Sequence, residues 1–170
     1  MAAGATYTPI ATTTLGSAAS SYTFTSIPQT YTDLVLIASG SVTLSGYAML
    51  VRVGSSNTID TANNYSITRL LWYSPPSIYT VESPNTSYYT LDGTSYSSSS
   101  ANLGISNLMN YSNTTTYKTM ITKSGYASDQ AMISAAVWRN TAAINTIQIY
   151  VQSGNINAGS TFTLYGIAAA

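Results

Sequence analysis

The apolar residues of this chain recur at every second position, and no stretch sustains helical spacing behind a capping signal, so the chain is built from strands. In residues 144–151, Ile147, Ile149 and Val151 alternate with Thr146, Gln148 and Tyr150. In residues 161–167, Phe162 and Leu164 alternate with Thr161, Thr163 and Tyr165. Successive side chains of a strand point to opposite faces, so this pattern sets one face on a core and the other toward water. The Gly-Asn and Ala-Gly steps within residues 154–159 suit a tight reversal, and they predict that these two strands pair as a hairpin.

Eight further segments read the same way: 7–14, 21–26, 33–39, 48–53, 65–72, 102–108, 115–122 and 131–138. Each is short, rich in Thr, Tyr, Ile or Val, and bounded by Gly, Pro, Asn or Ser. About ten short strands in a chain of 170 residues predict one all-β domain, an antiparallel two-sheet sandwich of jelly-roll type. An immunoglobulin-type sandwich fits less well, because such domains run near 100 residues and their antibody members carry a Cys, Trp, Cys spacing that is absent. Leu34-Val35-Leu36-Ile37 lacks alternation, which predicts a central strand covered on both faces.

The polar residues narrow the chemistry. There is no His and no Cys, which removes imidazole bases, the usual zinc ligand sets, thiol nucleophiles and disulfides. Five Lys+Arg are scattered among five Asp+Glu, so no basic stripe for nucleic acid exists. The acids Asp33, Asp60, Glu82, Asp92 and Asp129 stand apart; Asp33, Asp60, Asp92 and Asp129 fall in turn contexts that suit capping of amides rather than a catalytic pair. Lys118 and Lys123 lie in an alternating stretch and read as a solvated strand face rather than half of a Ser-Lys dyad. The Asp60-Thr61-Ala62-Asn63-Asn64 run offers oxygens for calcium but reads as a plain Asx-rich turn. The expectation is a protein that is not an enzyme, with no catalytic residue, no metal and no cofactor. No run approaches the ~20 apolar residues of a membrane-crossing helix, and the amino terminus lacks the basic and apolar regions of a secretory signal, so no membrane partner and cytoplasmic synthesis are expected.

With only 6% of positions charged and a surface built from Ser, Thr, Asn and 15 Tyr, the chain is suited to association rather than to life as a free monomer. The least core-like region is 73–100, with Pro75, Pro76, Pro84 and the run Ser97 to Ser100. It predicts a long excursion holding at most a short hairpin of 77–81 against 87–91. Its tyrosines Tyr73, Tyr79, Tyr88, Tyr89 and Tyr96 are the candidate partner-binding residues, since Tyr presents a rigid aromatic body and a hydroxyl that can stay wet. Tyr73, Tyr79, Tyr88 and Tyr89 with Trp72 could equally stack on sugar rings, which makes a glycan the alternative partner.

Three stretches carry a family resemblance: TYTPIATTTL near the amino terminus, Phe24-Thr25-Ser26-Ile27-Pro28-Gln29-Thr30-Tyr31-Thr32-Asp33-Leu34-Val35-Leu36, and Gly159-Ser160-Thr161-Phe162-Thr163-Leu164-Tyr165-Gly166-Ile167. Together they resemble small virion proteins of tailed bacteriophages, notably those of cyanobacterial and environmental phages. The resemblance frames residues 6–167 and implies a particle component located in the virion. It implies a capsid cement or decoration protein that binds the major capsid protein as a homo-oligomer, such as a trimer; a tail or fibre module that presents 73–100 to host sugars is the alternative. The same residues have a physical reading: Ile27-Pro28 ends a strand, residues 29–32 turn the corner, Asp33 opens a buried strand, and Gly166 permits a close approach.

Overall fold

The computed structural model describes residues 6–73, 77–91, 101–126 and 130–168. Within them the chain forms thirteen strands: β1 Tyr7–Thr14, β2 Ser21–Phe24, β3 Asp33–Gly40, β4 Leu50–Ser55, β5 Thr58–Ile59, β6 Tyr65–Tyr73, β7 Ser77–Thr86, β8 Tyr89–Thr90, β9 Asn102–Met109, β10 Lys118–Tyr126, β11 Gln130–Trp138, β12 Thr146–Tyr150 and β13 Thr161–Ile167. Eight build one sheet in the order β1-β13-β3-β9-β10-β11-β6-β7. Five build a second, β2-β12-β4-β5 with β8 also on β4. Every pairing between these strands is antiparallel. The expected all-β two-sheet sandwich is therefore the observed one, and the chain steps repeatedly from one sheet to the other.

Alternation decides which side chains meet between the sheets. From the large sheet come Leu34, Leu36, Tyr65, Leu108, Met120, Trp138, Phe162 and Leu164, and from the small one Val51, Val53, Ile147 and Ile149; each is buried. Each buried aliphatic side chain contributes about 1.5–3 kcal/mol of transfer free energy, so this layer is the main source of stability. Aromatic packing joins the layers: Tyr22 of β2 stacks on Phe162 of β13 with ring centroids 5.7 Å apart and meets Phe24 edge-on at 4.9 Å.

The corner before β3 takes the form the sequence predicts. Gln29 Nε2 donates to the carbonyls of Ile27 and Ile144, both at 2.9 Å, while Asp33 Oδ1 accepts the Asn110 amide. The Tyr31 ring lies on Gly166 so closely that an added Cβ would stand 2.3 Å from it. Here glycine is required by contact, and the close approach expected of Gly166 is observed. A second close approach shapes the β4–β5 hairpin: Ser56 and Asn57 both have positive φ, as a two-residue turn of the favoured hand needs, and a Cβ on Gly54 would stand 1.9 Å from the Thr58 carbonyl.

Three expectations need correction. β12 and β13 do not form a hairpin: β12 pairs β2 and β4 in the small sheet, and β13 pairs β1 and β3 in the large one. The connection crosses between layers because Ile156 is buried and bridges Ala19 and Val42. Residues 77–81 do not pair 87–91; they belong to β7, which lies along β6 at the rim of the large sheet. Pro84 is compatible with that strand because β7 is an edge and the register slips opposite Tyr65 and Ile67. Lys118 is buried rather than solvated; its Nζ donates to the carbonyls of Thr116 at 2.7 Å and Thr141 at 2.9 Å. β3 is an interior strand as expected, with Leu34, Val35 and Leu36 all buried and Ile37 half-buried between its paired neighbours Thr163 and Ile105.

Candidate functional site

The outward side of the large sheet carries the feature that most needs explanation. In an antiparallel pair, directly opposed residues share a face, so the registers define rows across β10, β11, β6 and β7. One row reads Gly125, Ala131, Trp72, Ile78; the next Lys123, Ile133, Leu70, Thr80; a third Ile121, Ala135, Thr68, Glu82. The opposite faces of these strands supply Leu71, Met132, Ala136 and Ile67 to the core, so all of these rows face away from it. Trp72 is 45% exposed, Leu70 47%, Ile133 56% and Ile78 69%. An outward face at such exposure is ordinarily polar, as the Thr-rich β1 and β13 edge of the same sheet is. These side chains border a hollow of about 270 Å³ floored by Ala131 and rimmed by Trp72, Ile78, Leu70 and Ile133. A second hollow of about 290 Å³ lies further along the strands between Ala135, Val137, Thr68 and Glu82. Among the described residues, Lys123 and Glu82 are the charged members of these three rows, one on each flanking strand.

The expected tyrosines do not converge on one surface. Tyr89 sits on β8 in the core, fully buried, with its hydroxyl accepting from Ser106 Oγ at 3.3 Å, and burial drives its pKa up. It cannot serve as a surface contact, because it pairs with Val51 of β4, whose side chain faces the core, and directly opposed residues share a face. Tyr79 lies on β7 opposite Leu71, exposed at the rim of the sheet. Tyr73 ends β6 and is described by its backbone alone, while Tyr96 and the Ser97 to Ser100 run lie outside the described residues.

Tyr88 lines a separate groove of about 200 Å³ with Tyr47, Arg69, Thr90 and Gln152. Beside it, the Arg52 guanidinium lies 4.2 Å from the Tyr150 ring centroid and donates to the Ser87 carbonyl at 2.9 Å. Burial raises the Tyr150 pKa, against the pull of Arg52. Arg69 reaches Thr90 Oγ1 at 3.5 Å, and its Nε has no hydrogen-bond partner.

The residues considered for chemistry are held in structural roles. Asp60 accepts from the Ala62 amide, Asn64 Nδ2 and Trp138 Nε1 at 2.8–2.9 Å, which makes the 60–64 run an Asx turn with its carboxylate oxygens already engaged. Burial alone would raise the Asp60 pKa, but these donors outweigh it and hold the carboxyl below 3.8. Burial lowers the Lys118 pKa. Lys123 points outward from β10, in the row of Ile133 and Leu70. Asp92 and Asp129 lie outside the described residues.

Leu70, Ile78 and Ile133 were not singled out by the sequence reading, although a signal for them is present. Leu70-Leu71-Trp72 and Ala131-Met132-Ile133 are unbroken apolar runs, and Ile78 is followed directly by Tyr79. In a strand such a run is apolar on both faces, and one face of an outer sheet is left over.

No family model matches the chain, and no curated protein matches it. Among solved structures, an alginate lyase from Aplysia kurodai is similar over 85% of this chain and 72% of its own, at 7% identity and a TM-score of 0.40. A xylan β-1,4-xylosidase from Bacillus halodurans is similar over 84% of this chain at 7% identity and a TM-score of 0.35, and the match spans 28% of the xylosidase.

Proposed function

We propose that this chain is a non-enzymatic virion structural protein that cements the capsid of a tailed phage, binding the shell of major capsid protein as an oligomer. The observation that carries the reading is the outward face around Trp72, Ile78, Leu70 and Ile133, an exposed apolar surface on a chain with few charges to keep it in solution. Such a face is stable when another surface covers it, as happens when copies of a chain assemble on a shell that offers many equivalent positions. The stretches 24–36 and 159–167, by which the chain resembles small phage virion proteins, support the setting, since they form the corner and closing strand of the sandwich. Cryo-electron microscopy of intact particles from the chain's own source is the test. Density repeated over the icosahedral shell is expected, and absence of the chain from the particles would overturn the reading.

The groove at Tyr88 supports a second reading, a tail-associated module for host-surface sugars. Tyr47 and Tyr88 offer ring faces and Arg69, Thr90 and Gln152 offer hydrogen bonds, an arrangement suited to a sugar. Density confined to the tail, together with glycan-array binding lost in Tyr88→Ala, would favour it over cement.

A further inference from the structure

We propose that the outward face of β10, β11, β6 and β7 is an isologous twofold interface, and that the partner it takes is a second copy of this chain. The proposal deepens the assembly reading above and rests on it, because it names which surface makes the oligomer and with what symmetry.

The registers on this face are complementary to themselves. Consider an axis lying along the strands, over the seam between β11 and β6, midway between two stacked sheets about 10 Å apart. Rotation about it keeps each row in place and exchanges β10 with β7 and β11 with β6. The first row, Gly125, Ala131, Trp72, Ile78, has its two small residues on one side of the seam and its two large ones on the other. The rotation therefore sets Trp72 of each copy over the hollow above Ala131 of the other, and Ile78 over Gly125, where an added side chain would meet open space. In the second row Ile133 falls on Leu70.

The charges obey the same operation. Lys123 is on β10 and Glu82 on β7, each one strand beyond the seam pair, so each copy's Lys123 lies over the other's β7, one row from Glu82. One row is about 6.8 Å along a strand, within the reach of an extended lysine. A charge on such a face would oppose association if it faced nothing; here each lies one row from its opposite, with Lys123 over Thr80 and Glu82 over Ile121, twice per dimer. A partner of unrelated surface would have no reason to match this arrangement, whereas a second copy matches it by construction.

Size is consistent with a specific but modest contact. Four strands at about 4.8 Å spacing and three rows at about 6.8 Å make a patch of roughly 400 Å² per copy, about 800 Å² in total, which is below the ~1,000 Å² of stable interfaces and places the contact in the weak, reversible class. A dissociation constant in the micromolar range is expected.

Sedimentation equilibrium of the full purified chain, without capsids, is the test. At about 100 µM the chain should be a dimer, and Lys123→Glu or Glu82→Lys alone should weaken it at least about tenfold. The double exchange K123E/E82K should restore most of the affinity, and Ala131→Trp, at an exposed position, should abolish the dimer. A monomer or a trimer at that concentration, a dimer indifferent to Ala131→Trp, or a double exchange no better than its single variants would each overturn the proposal. If Ala131→Trp fails to fold, the charge exchange still decides, since both side chains lie outside the core. Failure here with shell density in the particle would sink the interface but leave the cement reading, and a dimer from a chain absent from particles would do the reverse.

Discussion

At the scale of single residues, the polar side chains that looked like candidate chemistry act as joints between the sheets. Asp60 is the clearest. It links the large sheet to the β5–β6 connection through Trp138 Nε1 at 2.8 Å, and the neighbouring Tyr65 hydroxyl exchanges hydrogen bonds with the amide and carbonyl of Val53 on β4. Its carboxyl titrates below 3.8 in the folded chain, so the folded state binds fewer protons than the unfolded one in the window between the two values. The stabilisation is therefore complete above about pH 4 and is lost as the pH falls through the folded value. Asp60→Asn keeps the shape but replaces one accepting oxygen by a donor aimed at donors. It should cost about 1–2 kcal/mol at pH 7, and the difference from wild type should shrink as the pH falls below about 4, read from urea unfolding across that range. Its turn role was legible in the sequence from the Asp-Thr-Ala-Asn-Asn pattern. Trp138 as its partner was not, because that contact joins residues 78 positions apart.

At the scale of elements, period two identified strands well and their partners poorly. β1 and β13 have the predicted bounds, and β3, β9 and β11 differ by a residue. Alternation reports that a segment has one buried face, but it is the same for a strand of either sheet. The alternation of adjacent β12 and β13 predicts a hairpin, whereas the connection crosses between the sheets, with Ile156 buried and bridged to Ala19 and Val42. β7 was missed as a long strand because Pro84 argues against pairing, and what secures it lies elsewhere in sequence. Arg139, just past β11, donates to Ser66 Oγ, to the Pro84 carbonyl at 2.6 Å, to the Asn63 carbonyl at 2.7 Å and to Asn85 Oδ1 at 2.9 Å, and so clamps the irregular end of β7 to β6. Arg139→Ala should leave the sandwich folded while loosening that edge. Amide hydrogen exchange of residues 81–86 should quicken by about tenfold or more, with the amides of β3 and β9 unchanged. A uniform change across all strands would show that Arg139 supports the whole fold instead.

At the scale of the molecule, the question is how a chain with so few charges can leave one sheet face apolar. The small sheet covers a single side of the large one, and the unbroken runs at 70–72 and 131–133 supply more apolar surface than the interior between two layers can take. The expected site lay in the tyrosines of 73–100 because Tyr marks interfaces by composition. The face around Trp72 and Ile133 emerges only when strand order brings residues from distant segments into one row, which no local pattern contains. If that face is covered by a copy of the chain, thermal stability must depend on concentration, since association draws on the folded state alone. Raising the chain a hundredfold above its dissociation constant should then add about 1.4 kcal/mol per chain and lift Tm by about 3–5 °C. Ala131→Trp, which blocks the face while sparing the interior, should melt at one temperature across the same range. Differential scanning calorimetry of both proteins checks this, and a wild-type Tm that stays fixed while the variant's also stays fixed would mean that the exposed face is stable in water by itself.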